Sequence, residues 1–89
     1  RRRAALVLSR SLKEAQSMVE KGEREAGKIV KKMKDMINAE PLAKIDYVEI
    51  VDLKNLDQLA KIENKALGAV AVFIGKVRLI DNTILRVKE

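Results

Sequence analysis

Histidine and cysteine are both absent from the 89 residues, and there is no tryptophan. The first two absences remove Cys/His zinc sites, Ser–His–Asp and Cys–His nucleophile systems, iron–sulfur clusters and disulfides. One Phe and one Tyr hold the aromatic share to 2%, so a core has to come from Leu, Ile, Val, Met and Ala. Without cross-links, so short a chain is held together by packing alone, or by packing against something else. No apolar run approaches the roughly 20 residues that cross a bilayer. Arg1-Arg2-Arg3 followed by Ala4-Ala5-Leu6-Val7-Leu8 imitates a secretory leader, but the apolar run is short and Ser9-Arg10 interrupts it. The triplet reads instead as the start of a helix. The lack of cysteine fits a reducing, cytoplasmic compartment.

What is present suits one folded unit spanning residues 1–89. Hydrophobic residues make up 47% and charged residues 36%, a balance that disordered chains do not show. The net charge of +6 lies wholly in the first half. Residues 1–44 carry twelve Lys/Arg against six Asp/Glu, and residues 45–89 carry seven of each. A basic half raises one function class, a stand-alone module that binds nucleic acid or an anionic surface through residues 1–44. Its cations, however, alternate with acids: Lys13-Glu14, Glu20-Lys21, Glu23-Arg24-Glu25. That interleaving marks a solvated helix face, and the stacking aromatics of nucleic-acid modules are missing. Neither a nucleic-acid nor a membrane partner is therefore expected.

Hydrophobic spacing divides the chain. Ala5, Leu8, Leu12, Ala15 and Val19 recur at steps of three and four, widened by Ala4, Leu6 and Met18, and predict a helix over residues 2–21. Gly22 stands where a glycine cap is expected. Ala26, Ile29, Val30, Met33, Met36 and Ile37 predict a second helix over residues 25–39, antiparallel to the first, which Pro41 terminates. The period then changes to two. Residues 45–52 read as a strand, with Val48 and Ile50 inward and Ile45 and Val51 on the Tyr47 face. Residues 52–64 read as irregular or singly helical, anchored by Leu53, Leu56, Leu59 and Ile62, and residues 64–68 as a turn. Residues 69–74 are continuously apolar, the pattern of a central strand. Gly75-Lys76 predicts a two-residue hairpin of type II′ or I′ into residues 77–81. Asn82-Thr83 reads as a second turn before an alternating tail of Ile84, Leu85 and Val87. The class is α+β: an antiparallel helix pair on a three-stranded, largely antiparallel sheet.

No self-contained chemistry emerges. Asp46, Glu49 and Asp52 lie at steps of three on a strand, so Asp46 and Asp52 share one face and Glu49 takes the other. Magnesium binding or acid–base work needs convergent carboxylates; surface and strand-end acids are the expectation. Arg78, Asp81 and Asn82 crowd one hairpin, where Arg78 could pair locally with Asp81 and Asn82 could occupy a turn. Substrate contact is the other role open to these three. Gly22 and Gly27 are too isolated to cradle phosphate. Ser9 and Ser11 lack a histidine, and Met18, Met33 and Met36 fall on core stripes. No catalytic, cofactor-binding or metal-ligating residue is assigned.

The order of segments carries further information. Arg2-Arg3-Ala4-Ala5-Leu6-Val7-Leu8-Ser9-Arg10-Ser11-Leu12, Gly22-Glu23-Arg24, Ile45-Asp46-Tyr47-Val48-Glu49-Ile50-Val51-Asp52 and Gly75-Lys76-Val77-Arg78-Leu79-Ile80-Asp81-Asn82 follow one another at suitable spacing. Together they resemble the C-terminal domain of the pantothenate synthetase (pantoate–beta-alanine ligase) family over essentially the whole chain. The resemblance implies a parent that joins pantoate to beta-alanine through a pantoyl adenylate, with ATP and magnesium as cofactors. The family's His-Ile-Gly-His-like and Ser-Ser-Arg-Asn motifs belong to the nucleotide-binding domain or the junction, and neither occurs here. The resemblance thus implies a lid whose partner is the N-terminal nucleotide-binding domain. It implies no cofactor held by these residues, an inactive and monomeric isolated domain, and a homodimeric parent.

Overall fold

The computed structural model describes residues 2–88, with side chains from residue 5 onward. The expectations for Arg1 and for the Ala4 side chain lie outside this part. Five elements run in chain order: α1 (Arg2–Glu20), α2 (Ala26–Asn38), β1 (Ala43–Val51), β2 (Lys65–Ile74) and β3 (Val77–Arg86). The sheet order is β1-β2-β3 with both pairs antiparallel, so the α+β arrangement and the central apolar strand are as the sequence predicts.

The stripe on α1 buries Val7, Leu8, Leu12, Ala15 and Val19, whereas Ala5 is exposed. On α2 it buries Ala26, Ile29, Met33 and Ile37. These residues meet Val48, Ile50, Ala66, Val70, Val72 and Leu85 from the sheet in one aliphatic core. Each of its larger side chains contributes about 1.5–3 kcal/mol by burial. α1 lies over β2 and β3, and α2 over β1. Between the helices the chain turns at Gly22, whose φ of +106° favours glycine. Gly22 and Glu23 N–H groups donate back to the Val19 and Met18 carbonyls. Gly68 sits under α1 where a Cβ would come within 3.3 Å of Leu85 and 3.4 Å of Leu12. The glycine therefore sets how closely helix and sheet approach.

Four expectations are corrected. β1 carries a bulge between Ile45 and Tyr47, with Ile45 opposite Val72 and Tyr47 opposite Ala71. The extra residue changes the alternation, so Ile45 packs against the core instead of sharing the Tyr47 face. β2 begins at Lys65, so residues 64–68 are mostly strand. Asn82 and Thr83 do not turn: they pair with Ala69 and Gly68 inside a ten-residue ladder. An unbroken ladder with β2 outweighs the local turn preference of Asn. Residues 52–64 are irregular, one of the two readings the sequence left open, and only two of the four expected anchors hold. Ile62 is buried and Leu59 partly so, but Leu53 and Leu56 are exposed, Leu56 by 62% at a φ of +62°. That segment is tied down by backbone bonds: Asp52 N–H to Asp57, Leu59 N–H to Ile50, and Ile62 N–H to Arg24 carbonyls. At the hairpin, Gly75 has φ +63° and Lys76 does not share the positive sign, which is the II′ pattern.

Candidate functional site

The polar residues singled out by the sequence are distributed over both faces of the sheet. Arg78 does not pair with Asp81. It reaches across the width of β2 to Asp46 on β1, where Asp46 Oδ2 accepts from Arg78 Nε at 3.0 Å and Nη2 at 2.9 Å. The guanidinium also sits 5.8 Å from the centre of the Tyr47 ring. The bulge makes this possible, because it re-aims the Asp46 side chain. Both partners remain half-exposed, so the pair acts as a clip on the surface opposite the helices.

Asp81 pairs with Val70, a core residue, and therefore points to the helix side of the sheet. One of its carboxylate oxygens accepts the Asn82 N–H at 2.8 Å. Together with Ser9, Lys13, Gln16 and Thr83 it lines a shallow groove of about 310 Å³ between α1 and β3. Gln16 closes one end of that groove. Its amide donates to the Arg86 carbonyl and accepts the Arg86 N–H.

The remaining candidates are structural. Glu49 faces the side away from the helices, opposite Ala69. Asp52 accepts the N–H groups of Lys54 and Asn55 at 2.8 and 3.2 Å. The Lys54 bond chiefly, and then that from Asn55, holds its carboxyl below the ordinary carboxylate value. Ser11 is fully buried and donates to the Leu8 carbonyl at 2.8 Å. Met33 is core, and Met18 packs against the same core. Met36 lines an open cleft between the two helices with Val7 and Arg10. On α2, Lys28 pairs with Glu25 and Lys31 with Asp35, the solvated-face pattern. Arg24 is drawn inward to the Val19 and Glu23 carbonyls.

Among the described residues no three acids converge as a metal site. Gly22 and Gly75 form open turns and Gly27 lies within α2, so no glycine-rich loop cradles a phosphate among them. No helix among the described residues is long and apolar enough to cross a membrane.

The family model described as pantoate-beta-alanine ligase matches residues 1–84. The chain belongs to the pantoate-beta-alanine ligase family. A pantothenate synthetase of Thermoanaerobacter sp. (strain X514) is 51% identical over 83 residues, covering 93% of this chain and 29% of that protein. One from Pelotomaculum thermopropionicum is 57% identical over 84 residues, covering 94% and 30%. The crystal structure of the pantothenate synthetase from Thermus thermophilus superposes with a TM-score of 0.79 at 28% identity, covering 86% of this chain and 28% of that one. The chain thus spans about 30% of the length of the curated relatives it matches, as a C-terminal domain of this ligase family does. The Arg78–Asp46 clip was beyond sequence reasoning: the two residues lie 32 positions apart with no local pattern between them.

Proposed function

We propose that this domain is the lid of an ATP-dependent ligase that joins pantoate to beta-alanine. In that scheme pantoate and ATP form a pantoyl adenylate and diphosphate; the amine of beta-alanine then attacks the acyl carbon and AMP leaves. One observation carries the proposal: the family match runs along nearly the whole chain, yet the chain is under a third of its relatives' length. The described residues bring no phosphate cradle and no acid cluster of their own. The contribution left to such a domain is to cover a reaction held by the nucleotide-binding domain. Covering matters because an acyl adenylate is destroyed by water, and a closed site excludes it. The working protein is then the two-domain polypeptide, homodimeric and cytoplasmic, with magnesium bound outside this domain.

The test is ligase turnover in three samples: this chain alone, the nucleotide-binding domain alone, and the two joined. Pantothenate formation is expected only in the joined sample. Turnover by the present chain alone, or full turnover by the other domain without it, would sink the proposal.

A further inference from the structure

We propose that the outer edge of β3 is a strand-pairing surface for a second copy of this chain, kept shut by the carboxylate of Asp81. The backbone of β3 alternates between its two sides. Just past the strand, the Val87 N–H turns to the Asn64 carbonyl on the β2 side. The N–H and carbonyl of Arg86 turn the other way, to the side chain of Gln16. Alternation then sends the backbone groups of Ile80, Asn82 and Ile84 to the outer edge, and those of Leu79, Asp81, Thr83 and Leu85 to β2. Along the edge two side chains stand where a neighbouring strand would. Gln16 takes both groups of Arg86, and an Asp81 carboxylate oxygen accepts the Asn82 N–H at 2.8 Å. Among the described residues nothing else bonds to the edge groups of Ile80, Asn82 and Ile84.

The two edges of the sheet are built differently. β1 is blunted by its bulge, and the segment after it covers its far end, where Leu59 N–H donates to the Ile50 carbonyl and Gln58 bridges to Val51. β3 pairs with β2 over ten residues without a register shift and contains no proline. The groove between α1 and β3 leaves space beside its edge. The strand is also complementary to itself. Antiparallel pairing about Asn82 sets Ile80 against the second copy's Ile84, and Ile84 against the second copy's Ile80, on the face away from the helices. Both isoleucines are exposed in the single chain. The pairing stops before Arg86, whose groups are already taken by Gln16. It closes a twofold sheet with a bulged β1 at each end, so a dimer results and not a fibre. Asp81 opposes that assembly. Its oxygen holds the place of the incoming carbonyl at Asn82, so that carbonyl meets an acceptor where it needs a donor. The two Asp81 carboxylates also lie diagonally across the twofold axis, about 7–8 Å apart, where like charges repel.

The test is self-association of the unaltered chain and of Asp81→Ala, followed by sedimentation equilibrium over a range of concentrations. Removing the carboxylate is expected to lower the dimer dissociation constant about tenfold or more, while the unaltered chain stays monomeric over the same range. Amide hydrogen exchange then locates the contact. In Asp81→Ala the N–H groups of Ile80, Asn82 and Ile84 are expected to exchange more slowly as concentration rises. Those of Leu79, Thr83 and Leu85 are held by β2 in either state, so they keep their protection and report that the variant is folded. If they lose it, Asp81→Thr takes the place of the alanine variant with the same expectation, since a β-branched residue suits a strand. A folded variant that stays monomeric overturns the proposal. So does a dimer whose edge amides exchange as in the monomer, because another surface then carries the contact. An unaltered chain that already dimerises through these amides removes the guarding role of Asp81.

Discussion

The side-chain amide of Gln16 meets the backbone of Arg86 in both directions. Gln16 Nε2 donates to the Arg86 carbonyl at 3.1 Å, and the Arg86 N–H donates to Gln16 Oε1 at 3.0 Å. A helix side chain thus pairs with the last residue of β3 much as a neighbouring strand would. Gln16→Ala removes both bonds, together with the bond from Gln16 to Glu20, and is expected to cost about 1–2 kcal/mol, given a net of about 0.5–1.5 for each hydrogen bond after exchange with water. Gln16→Glu keeps the acceptor but turns the donor into a second acceptor facing a carbonyl, so it should be no better than Ala. Urea midpoints of the three proteins check this, and a neutral Gln16→Ala would show the contact to be ornamental.

Arg78 and Asp46 are half-exposed, so their ion pair should be modest despite its short distances. A double-mutant cycle with Arg78→Gln and Asp46→Asn is expected to give a coupling of about 0.2–1 kcal/mol. A coupling of zero would mean the clip does not persist in solution.

Two glycines separate backbone conformation from packing. A Cβ meets nothing within 4 Å at either Gly22 or Gly27. Gly22 has φ +106°, so Gly22→Ala is expected to destabilise by about 1–2 kcal/mol. Gly27 lies within α2 without a positive φ. Gly27→Ala is expected to stabilise by about 0.5–1 kcal/mol through helix propensity. Thermal midpoints moving in the same direction for both would refute the assignment of the Gly22 turn.

Ile29 is fully buried and Leu42 is 59% exposed. Ile29→Ala is expected to cost about 2–5 kcal/mol through lost burial and the cavity left behind. Leu42→Ala should stay within about 0.5 kcal/mol. Chemical denaturation of both variants tests the layer order directly.

Asp52 adds a pH dependence. Its carboxyl is held below the ordinary value of 3.8, first by the Lys54 N–H and then by the Asn55 N–H. A depressed folded pKa contributes stability above the unfolded value and loses it as pH falls through the lower folded value. Asp52→Asn keeps an acceptor for the two N–H groups but does not titrate. Its plot of thermal midpoint against pH should therefore fall less steeply below about pH 4 than that of the parent. Glu20, lowered chiefly by its bond from Gln16, keeps part of that slope in both proteins. Identical acid limbs would exclude the role given to Asp52.

The sequence by itself determined the class of molecule and most of its elements. Apolar steps of three and four place α1 and α2, because a helix that buries one side must repeat its hydrophobes at that spacing. The run at residues 69–74 identifies the central strand, because a continuous apolar run of that length followed by a turn signal at Gly75-Lys76 is the pattern of a strand. The missing His and Cys already excluded whole families of catalytic sites. The order of four segments pointed to the family, which the matches bear out.

Tertiary structure decided what depends on partners far away in the chain. The bulge after Ile45 follows from register against β2, and it turns both Ile45 and Asp46 away from the faces simple alternation assigns them. Asn82-Thr83 is strand because ten residues of β2 are there to pair with β3. Arg78 finds Asp46 and not Asp81, since alternation sends Arg78 and Asp81 to opposite sides of the sheet. The open apolar face is likewise invisible in one dimension. Ile80, Ile84 and Phe73 look like core candidates in the sequence, and only the placement of both helices on the other side of the sheet shows that no helix among the described residues covers them.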